Sequence, residues 1–199
     1  MNKAYFFALT LLAVPALADN HRGFYVGIGA SGVNDKQDMV TLSNGMTLGD
    51  TTAIRTGEVI GGYKYNNALG GEIRIGSGLR SGQGITYGVT GAGALEKRGE
   101  FERDLGTYGS IYYKPELEND DAKLYALIGY TQISTSKTTK DLAGVEVKGS
   151  SESYSGVSYG IGIGFVIDEH FNINFEYKNI CDDLYNKPNM SSVNFDYRF

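Results

Sequence analysis

The stretch "GVSYGIGIGFVIDEHFNINFEYK", Gly156 to Lys178, carries the pattern that decides the fold. Large apolar residues occupy every second position up to Ile167 and again from Phe171 onward. Apart from Val166, Ser and Gly fill the positions between them in the first half, and Asn, Glu and Lys do so in the second. A period of two is that of a β-strand with two unlike faces. The triplet "DEH" between the halves predicts a tight turn, so the stretch is typical of an antiparallel hairpin.

The same alternation recurs along the chain, and no window after residue 18 sustains a helical period. Eight runs show it: "GFYVGIGAS", "GEVIGGYKY", "LGGEIRIGS", "GTYGSIYYK", "KLYALIGYTQIS", "SGVSYGIGIGFVI", "FNINFEYK" and "SSVNFDYRF". The predicted fold class is all-β, with eight antiparallel strands. Residues 84–90, "GITYGVT", also alternate; they either extend strands beyond a membrane or form an extra hairpin, which would raise the count to ten.

The predicted connections alternate in length. Long ones are expected near residues 32–52, 80–104, 135–153 and 179–190, and short ones near residues 66–68, 115–122 and 168–170. This alternation is typical of an up-and-down meander in which loops at one end are free to grow.

The N-terminus predicts export. Lys3 precedes an apolar stretch of about fifteen residues and a small-residue site at Ala16–Ala18, as in a secretory signal peptide cut before Asp19. A membrane-spanning helix would need roughly 20 apolar residues, and Asp19 ends this run too early. The predicted organisation is a signal peptide at residues 1–18 and one β-barrel domain at residues 19–199.

Composition excludes several function classes. The chain of 199 residues has a net charge of −5 and no basic block, which argues against nucleic-acid binding. The single cysteine, Cys181, rules out an internal disulfide framework. The 28 glycines and 15 tyrosines come with only 3 prolines, so these glycines belong to strands and not to a disordered or fibrous segment.

Periodicity leaves two architectures open: a soluble barrel or sandwich with its apolar face inward, and a membrane barrel with that face outward. Aromatic residues crowd the strand ends, as in the girdles of outer-membrane barrels, and glycines are expected to face glycines across a tightly curved sheet. The polar faces hold acids and bases in near balance, which in a narrow membrane barrel would point into the lumen and pair. These predicted lumen charges are Glu58, Lys64, Glu72, Arg74, Glu176, Lys178, Asp196 and Arg198.

The ending "VNFDYRF" completes a resemblance. With the export signal and the eight-strand pattern, it resembles the small outer-membrane β-barrels of Gram-negative bacteria, the OmpA-like and OmpX-like class of the porin family. The resemblance implies a transmembrane barrel in the cell outer membrane with lipid, lipopolysaccharide and the barrel assembly machinery as partners. It also implies that Phe195, Tyr197 and Phe199 form the signal by which that machinery selects its substrates.

Catalytic chemistry is not indicated. A barrel that deacylates lipid A would need a His and a Ser two residues apart with an orienting acid. His21 adjoins the cleavage site, and His170 lies in the "DEH" turn with Asn172 two residues later. A barrel acyltransferase would bring a leading amphipathic helix, for which residues 19–23 leave no room. We therefore predict no catalytic residues, no cofactor and no metal site, since the acidic run Glu118–Asp121 lacks the spacing of a calcium loop.

The sequence favours a non-enzymatic barrel that contributes to membrane integrity or to surface interaction through its outer loops. The loops "VNDKQDMVTLSNGMTLGDTT" and "SKTTKDLAGVEVKGSSES" are the candidates for contact with a host surface or lipopolysaccharide. The alternative is a small porin that passes ions or small solutes.

Overall fold

Eleven β-strands make up the computed structural model, which describes residues 22–36, 40–41, 47–48, 51–90, 94–168, 170–181 and 188–199. The strands are β1 (Gly23–Lys36), β2 (Val40–Thr41), β3 (Thr47–Leu48), β4 (Thr51–Asn66), β5 (Leu69–Arg80), β6 (Gly82–Val89), β7 (Leu95–Glu118), β8 (Ala122–Asp141), β9 (Glu146–Val166), β10 (Phe171–Asn179) and β11 (Asn189–Arg198). A search of these residues for helices long and apolar enough to cross a membrane found none.

Eight of these strands close into a ring. Each pairs antiparallel with its neighbours in the order β1, β4, β5, β7, β8, β9, β10, β11, and β11 returns to β1. The seam between first and last strands runs from Tyr25 opposite Arg198 to Asn34 opposite Asn189. At the end of the seam where Tyr25 lies, the backbone N–H of Phe199 donates to the Phe24 carbonyl at 3.1 Å. The predicted fold class, an eight-stranded antiparallel barrel, is confirmed.

The apolar face points outward and the polar face inward. Phe24 and Ile28 in β1 are 67% and 65% exposed, whereas Tyr25 between them is 2% exposed. The same inversion holds on β10, where Phe175 faces out and Glu176 is buried. A soluble barrel would have the opposite arrangement, whereas a closed barrel in lipid needs an apolar exterior and satisfies its backbone polar groups around the ring.

The two ends of the barrel differ. Connections of two, three and four residues join β4 to β5, β7 to β8 and β9 to β10 at the end that also holds Gly23 and Phe199; we call this the turn end. The opposite end is the loop end. Outer-membrane barrels have short periplasmic turns and longer extracellular loops, so the predicted membrane placement assigns the turn end to the periplasm.

Two expected long loops are in fact strands. β7, β8 and β9 have 24, 20 and 21 residues, so residues predicted as the loops 80–104 and 135–153 are mostly paired. β6 continues from β5 and pairs with the first part of β7, while β5 pairs with its later part. The "GITYGVT" segment therefore extends a barrel strand beyond the ring, and the count stays at eight.

These extensions form a surface that we call the protruding sheet: β6 with residues 95–105 of β7, 131–141 of β8 and 146–156 of β9. Of the loops predicted near residues 32–52 and 179–190, residues 37–39, 42–46, 49–50 and 182–187 lie outside the described residues.

Inward glycines face tyrosines, and the expectation that glycines would face glycines is wrong. In the strand registers Tyr25 lies opposite Gly62, Tyr108 opposite Gly76, Tyr112 opposite Gly129 and Tyr125 opposite Gly162. A Cβ built on any of these glycines would overlap the ring of its partner. A narrow lumen can hold four tyrosines against its wall because the residue opposite each ring is a glycine, whose side chain is a single hydrogen atom.

Adjacent residues of β4 test this packing. Gly62→Ala places a methyl group against the Tyr25 ring and should lower the free energy of unfolding by about 1–3 kcal/mol, the usual range for overpacking. A Cβ on Gly61 meets no atom within 4 Å. The matched variant Gly61→Ala should therefore leave the stability unchanged or raise it by up to about 1 kcal/mol. Urea unfolding in lipid vesicles measures both, and equal effects would contradict the packing role of Gly62.

Candidate functional site

The centre of the lumen is a charge network built around Arg74. Its guanidinium forms a bidentate pair with Glu176, at 2.6 Å from Nη1 and 2.8 Å from Nη2. Nε donates to Glu72 at 2.8 Å, and Nη1 lies 3.2 Å from Glu58. Arg74 is 1% exposed, so the three carboxylates replace the water that the cation has lost.

Each of these carboxylates also accepts a hydrogen bond from a tyrosine. The hydroxyl of Tyr25 donates to Glu72 at 2.6 Å, that of Tyr125 to Glu176 at 2.7 Å, and that of Tyr108 to Glu58 at 3.0 Å. These are three of the tyrosines whose rings lie against glycines. The glycines opposite these rings thus leave the space in which the tyrosines place their hydroxyl groups against the carboxylates.

Two lysines complete the central network. The Lys178 ammonium lies 3.1 Å from Glu58, and the Lys114 ammonium lies 2.6 Å from Glu72. Lys114 also contacts Glu116 at 3.4 Å, which links the centre to a second cluster nearer the turn end.

The second cluster surrounds Asp196 and Glu116. Asp196 accepts from the amides of Asn172 at 2.7 Å and Asn174 at 2.5 Å, and it lies 3.5 Å from Lys123. Further ion pairs join Asp196 to Arg198 at 3.6 Å, Lys64 to Glu116 at 3.5 Å, and Lys64 to Glu118. Among the described residues, the ion-paired charges of the lumen balance, with six cations, namely Lys64, Arg74, Lys114, Lys123, Lys178 and Arg198, and six anions, namely Glu58, Glu72, Glu116, Glu118, Glu176 and Asp196.

The structure brings together all eight residues proposed from the sequence as lumen charges. Every one is buried, and each has an ionic partner within the lumen. Sequence reasoning missed Lys114, Glu116, Glu118 and Lys123, together with the tyrosines that bind the carboxylates. The alternation would have identified Lys114 and Glu116, because both follow Tyr112 at intervals of two.

An apolar layer lies over this network toward the loop end. It consists of Val33, Ile54, Leu105, Tyr108, Ile133, Ile180, Cys181 and Met190. Tyr108 belongs to both parts, since its ring joins the layer and its hydroxyl binds Glu58. Cys181, expected in a loop, follows β10 and is buried in this layer. A charged plug covered by an apolar layer fills the described lumen.

The protruding sheet extends beyond the band of outward-facing apolar side chains that contacts lipid, which we call the lipid-facing belt. The outermost large apolar pair on β8 and β9 is Tyr130 opposite Val157. Directly beyond it the outward positions are polar, with Gln132 and Ser134 on β8 and Ser155 on β9, and an exposed apolar residue, Val147, returns only near the tip of β9. Since a membrane-spanning strand needs 9–11 residues, the 11 residues 131–141 of β8 extend about 35 Å past the belt.

The outer face of the protruding sheet carries two ion pairs. Lys97 pairs with Glu100 at 2.8 Å and Lys140 with Glu102 at 3.0 Å, and these partners lower the pKa of both carboxyl groups.

The other face continues the inner wall of the barrel. Here Arg103 lies directly opposite Lys137, and the Lys137 ammonium sits 4.7 Å from the centre of the buried Phe101 ring. Burial, followed by the charge of Arg103, lowers the pKa of Lys137, while Glu152 opposes the shift.

The turn residues serve local structure. The Asp168 carboxylate accepts the backbone N–H groups of His170 and Phe171, each at 2.8 Å, which lowers its pKa. The imidazole of His170 stacks on Tyr197 at 5.4 Å. Asn119 closes the turn of the acidic run by accepting the N–H groups of Asp121 and Ala122. Within the residues described, no group of three or more His, Cys, Asp or Glu side chains could hold a metal ion.

The remaining predicted residues lie at the two chain ends. Phe195 faces outward, and Tyr197 contacts the rings of Phe171 at 5.0 Å and Phe199 at 5.2 Å. The predicted signal peptide and His21 fall outside the described residues.

Comparison with known proteins settles the family. Residues 4–199 match the family model described as outer membrane protein beta-barrel domain. The chain belongs to this family. The predicted location in the Gram-negative outer membrane is thereby confirmed. No curated protein matches the chain.

Solved structures of outer-membrane barrels share the fold. The crystal structure of Ail, the attachment invasion locus protein of Yersinia pestis, in complex with the heparin analogue sucrose octasulfate has 19% sequence identity and a TM-score of 0.54, covering 90% of this chain and 99% of Ail. Neisserial surface protein A has 13% identity and a TM-score of 0.51, covering 91% of this chain and all of its own. At these identities the likeness establishes the barrel architecture.

Arg74 is the residue on which the lumen network depends most. Arg74→Met leaves Glu58, Glu72 and Glu176 with too few cations, and the loss of one partner from a buried ionic cluster costs about 3–5 kcal/mol. The matched variant Lys140→Met removes an exposed partner of Glu102 and should leave the stability unchanged. Urea unfolding in lipid vesicles compares the two, and a stable Arg74→Met barrel would contradict the central role of the guanidinium.

Proposed function

We propose that this protein is a non-enzymatic outer-membrane barrel that binds other molecules at the cell surface through its protruding sheet. The observation that carries the proposal is the length of β7, β8 and β9, about twice what crossing the membrane requires. A rigid sheet of paired strands presents side chains in fixed positions, which favours binding over a purely structural role. The tightly bonded barrel beneath it would add to membrane integrity.

Like charges on the inner face of the sheet indicate the class of ligand. Arg103 and Lys137 lie directly opposite each other on β7 and β8, which concentrates positive charge at one place on the inner face and favours an anionic ligand there. Phe101 beside Lys137 offers an apolar ring on which a sugar can pack. We infer that the ligand is an anionic saccharide, such as a sulfated host glycan or a phosphorylated part of lipopolysaccharide. Ail, a barrel of the same fold, has been crystallised with sucrose octasulfate.

The edges of the protruding sheet offer a second mode of contact. β6 ends the strand order, and β10 pairs with β9 only from Tyr159 onward. Residues 146–156 of β9 therefore present one side of their backbone without a β10 partner. Exposed strand edges can accept an added strand from another chain, so a protein ligand could bind there through main-chain hydrogen bonds.

A small porin is the alternative function, and the lumen argues against it. The balanced charges around Arg74 and the apolar layer over them occupy the space through which ions would pass. Catalysis has no support in the described residues either, because His170 stacks on Tyr197 in a turn and not beside a Ser nucleophile.

Charge reversal on the inner face tests the surface proposal. The double variant Arg103→Glu, Lys137→Glu should bind sucrose octasulfate at least about tenfold more weakly, because each lost charge-assisted hydrogen bond costs about 1.5–3 kcal/mol. The matched double variant Lys97→Glu, Lys140→Glu changes the same number of charges on the opposite face and should bind as the native protein does. Titration calorimetry in detergent makes the comparison.

Equal weakening in both double variants would reduce the effect to net charge and overturn the proposed site. Planar-bilayer recording of the native protein decides the alternative. A filled lumen predicts no steady single-channel current, and a sizeable steady current from a monomer would favour the porin.

The C-terminal aromatics are proposed as the assembly signal. Phe195 and Tyr197 alternate with buried residues of β11, so they are exposed to a partner before the seam with β1 closes. Deletion of Phe199 should lower the amount of folded protein in the outer membrane several-fold, whereas Phe175→Leu, an outward change on β10, should not. Fractionation followed by a heat-modifiability gel measures both, and equal amounts would contradict the proposed signal.

A further inference from the structure

A groove runs diagonally across the lipid-facing wall, from Phe24 and Tyr65 near the turn end to Tyr130 at the loop-end edge of the apolar surface. Its volume is about 1280 Å³, and it crosses β1, β4, β5, β7 and β8. The floor is thin because two Gly–Gly pairs, Gly61–Gly62 and Gly70–Gly71, lie on the adjacent strands β4 and β5. Space outside Gly61 is open, since a Cβ built there meets nothing within 4 Å.

Large side chains form the walls of this groove. In the strand registers the outward Gly61 lies between Val26 and Ile73, and the outward Gly71 lies between Tyr63 and Tyr113. Each glycine is thus a notch flanked by bulky neighbours. A linear apolar chain lying in the notches would contact atoms on both sides as well as beneath it, which a smooth wall cannot provide.

Arg22 provides a positive charge at the edge of the groove nearest the turn end. Phe24, Tyr63 and Tyr65 form a continuous ring stack, with centroid separations of 4.7 and 5.0 Å, as in the aromatic girdles at a membrane boundary. The Arg22 guanidinium is exposed and hydrogen-bonds to Tyr63. A guanidinium carries five N–H donors, so this bond engages only part of its capacity.

We propose that the groove is a site for one glycerophospholipid of the periplasmic leaflet, with an acyl chain over Gly61 and Gly71 and its phosphate at Arg22. The turn end faces the periplasm, which places the phosphate of that leaflet at the height of Arg22. Apolar burial cannot select a lipid from a membrane, because every lipid is already in hydrocarbon. Close packing in the notches and the ionic contact supply the selectivity.

Filling one notch tests the proposal against a matched glycine. Gly61→Leu occupies the groove, whereas Gly109→Leu adds the same side chain at another outward glycine whose Cβ meets nothing within 4 Å and which does not line the groove. Native mass spectrometry of the full protein in mild detergent with added phosphatidylethanolamine measures bound lipid. The native protein and Gly109→Leu should each retain one lipid per barrel, and Gly61→Leu should lose it.

The headgroup contact has its own measurement. Arg22→Gln should weaken phosphatidylethanolamine retention about fivefold, as expected for the loss of one basic residue near a lipid surface. Diacylglycerol has the same acyl chains but no phosphate. The native protein should therefore retain diacylglycerol as weakly as the Arg22→Gln variant retains phosphatidylethanolamine.

Three results would overturn the proposal: equal retention by Gly61→Leu and Gly109→Leu, retention of diacylglycerol equal to that of phosphatidylethanolamine, or preferential retention of lipid A. A heat-modifiability gel run on each variant shows that the barrel is folded, so loss of lipid can be read as loss of the site.

Discussion

Arg74 is a permanently charged group held where water cannot reach it, and much of the interior is arranged around this constraint. An ion of this kind is tolerated in a low-dielectric lumen only when its hydrogen-bonding capacity is met by fixed partners. Glu58, Glu72 and Glu176 provide them, from three different strands. The carboxylates are themselves costly to bury, so each takes a further hydrogen bond from a tyrosine and a contact from Lys114 or Lys178. The glycines of the opposing strands make room for the tyrosine rings. The glycines, the tyrosines and the ion pairs of the lumen therefore depend on one another.

The ionic network of the lumen and the proposed binding surface lie at different heights along the barrel axis. The described lumen charges balance and each has an ionic partner within the lumen, so they add little to the electrostatic potential outside the barrel. Charges in the protruding sheet are exposed or half-buried, and on its inner face two cations lie opposite each other. Side chains of the protruding sheet can vary without disturbing the network below, because the apolar layer containing Leu105, Ile133 and Met190 lies between them.

Local patterns in the sequence were enough to predict which residues face the lumen, because a period of two depends only on neighbouring residues. They predicted the eight strands and the eight lumen charges proposed above. The pairing of Tyr25 with Gly62 or of Arg74 with Glu176 could not be predicted, since it depends on the register between strands far apart in the chain. Leu105 and Tyr108 both face inward across a register shift, so counting by two from either assigns the other to the wrong face. The long strands were taken for loops because their outward positions change from Ile and Tyr to Ser, Thr and Gln once they leave the lipid.

Gly61 and Gly62 are consecutive residues of the same type, yet they belong to two different environments. The ring of Tyr25 presses on Gly62 from the lumen, and the space outside Gly61 opens toward lipid. At this point β4 itself contributes no side chain to either surface of the barrel wall. The hydrocarbon of the membrane and the tyrosine that holds Glu72 are thus separated by one backbone thickness. A side chain added at Gly61 would therefore enter the membrane, whereas one added at the next residue would enter the lumen.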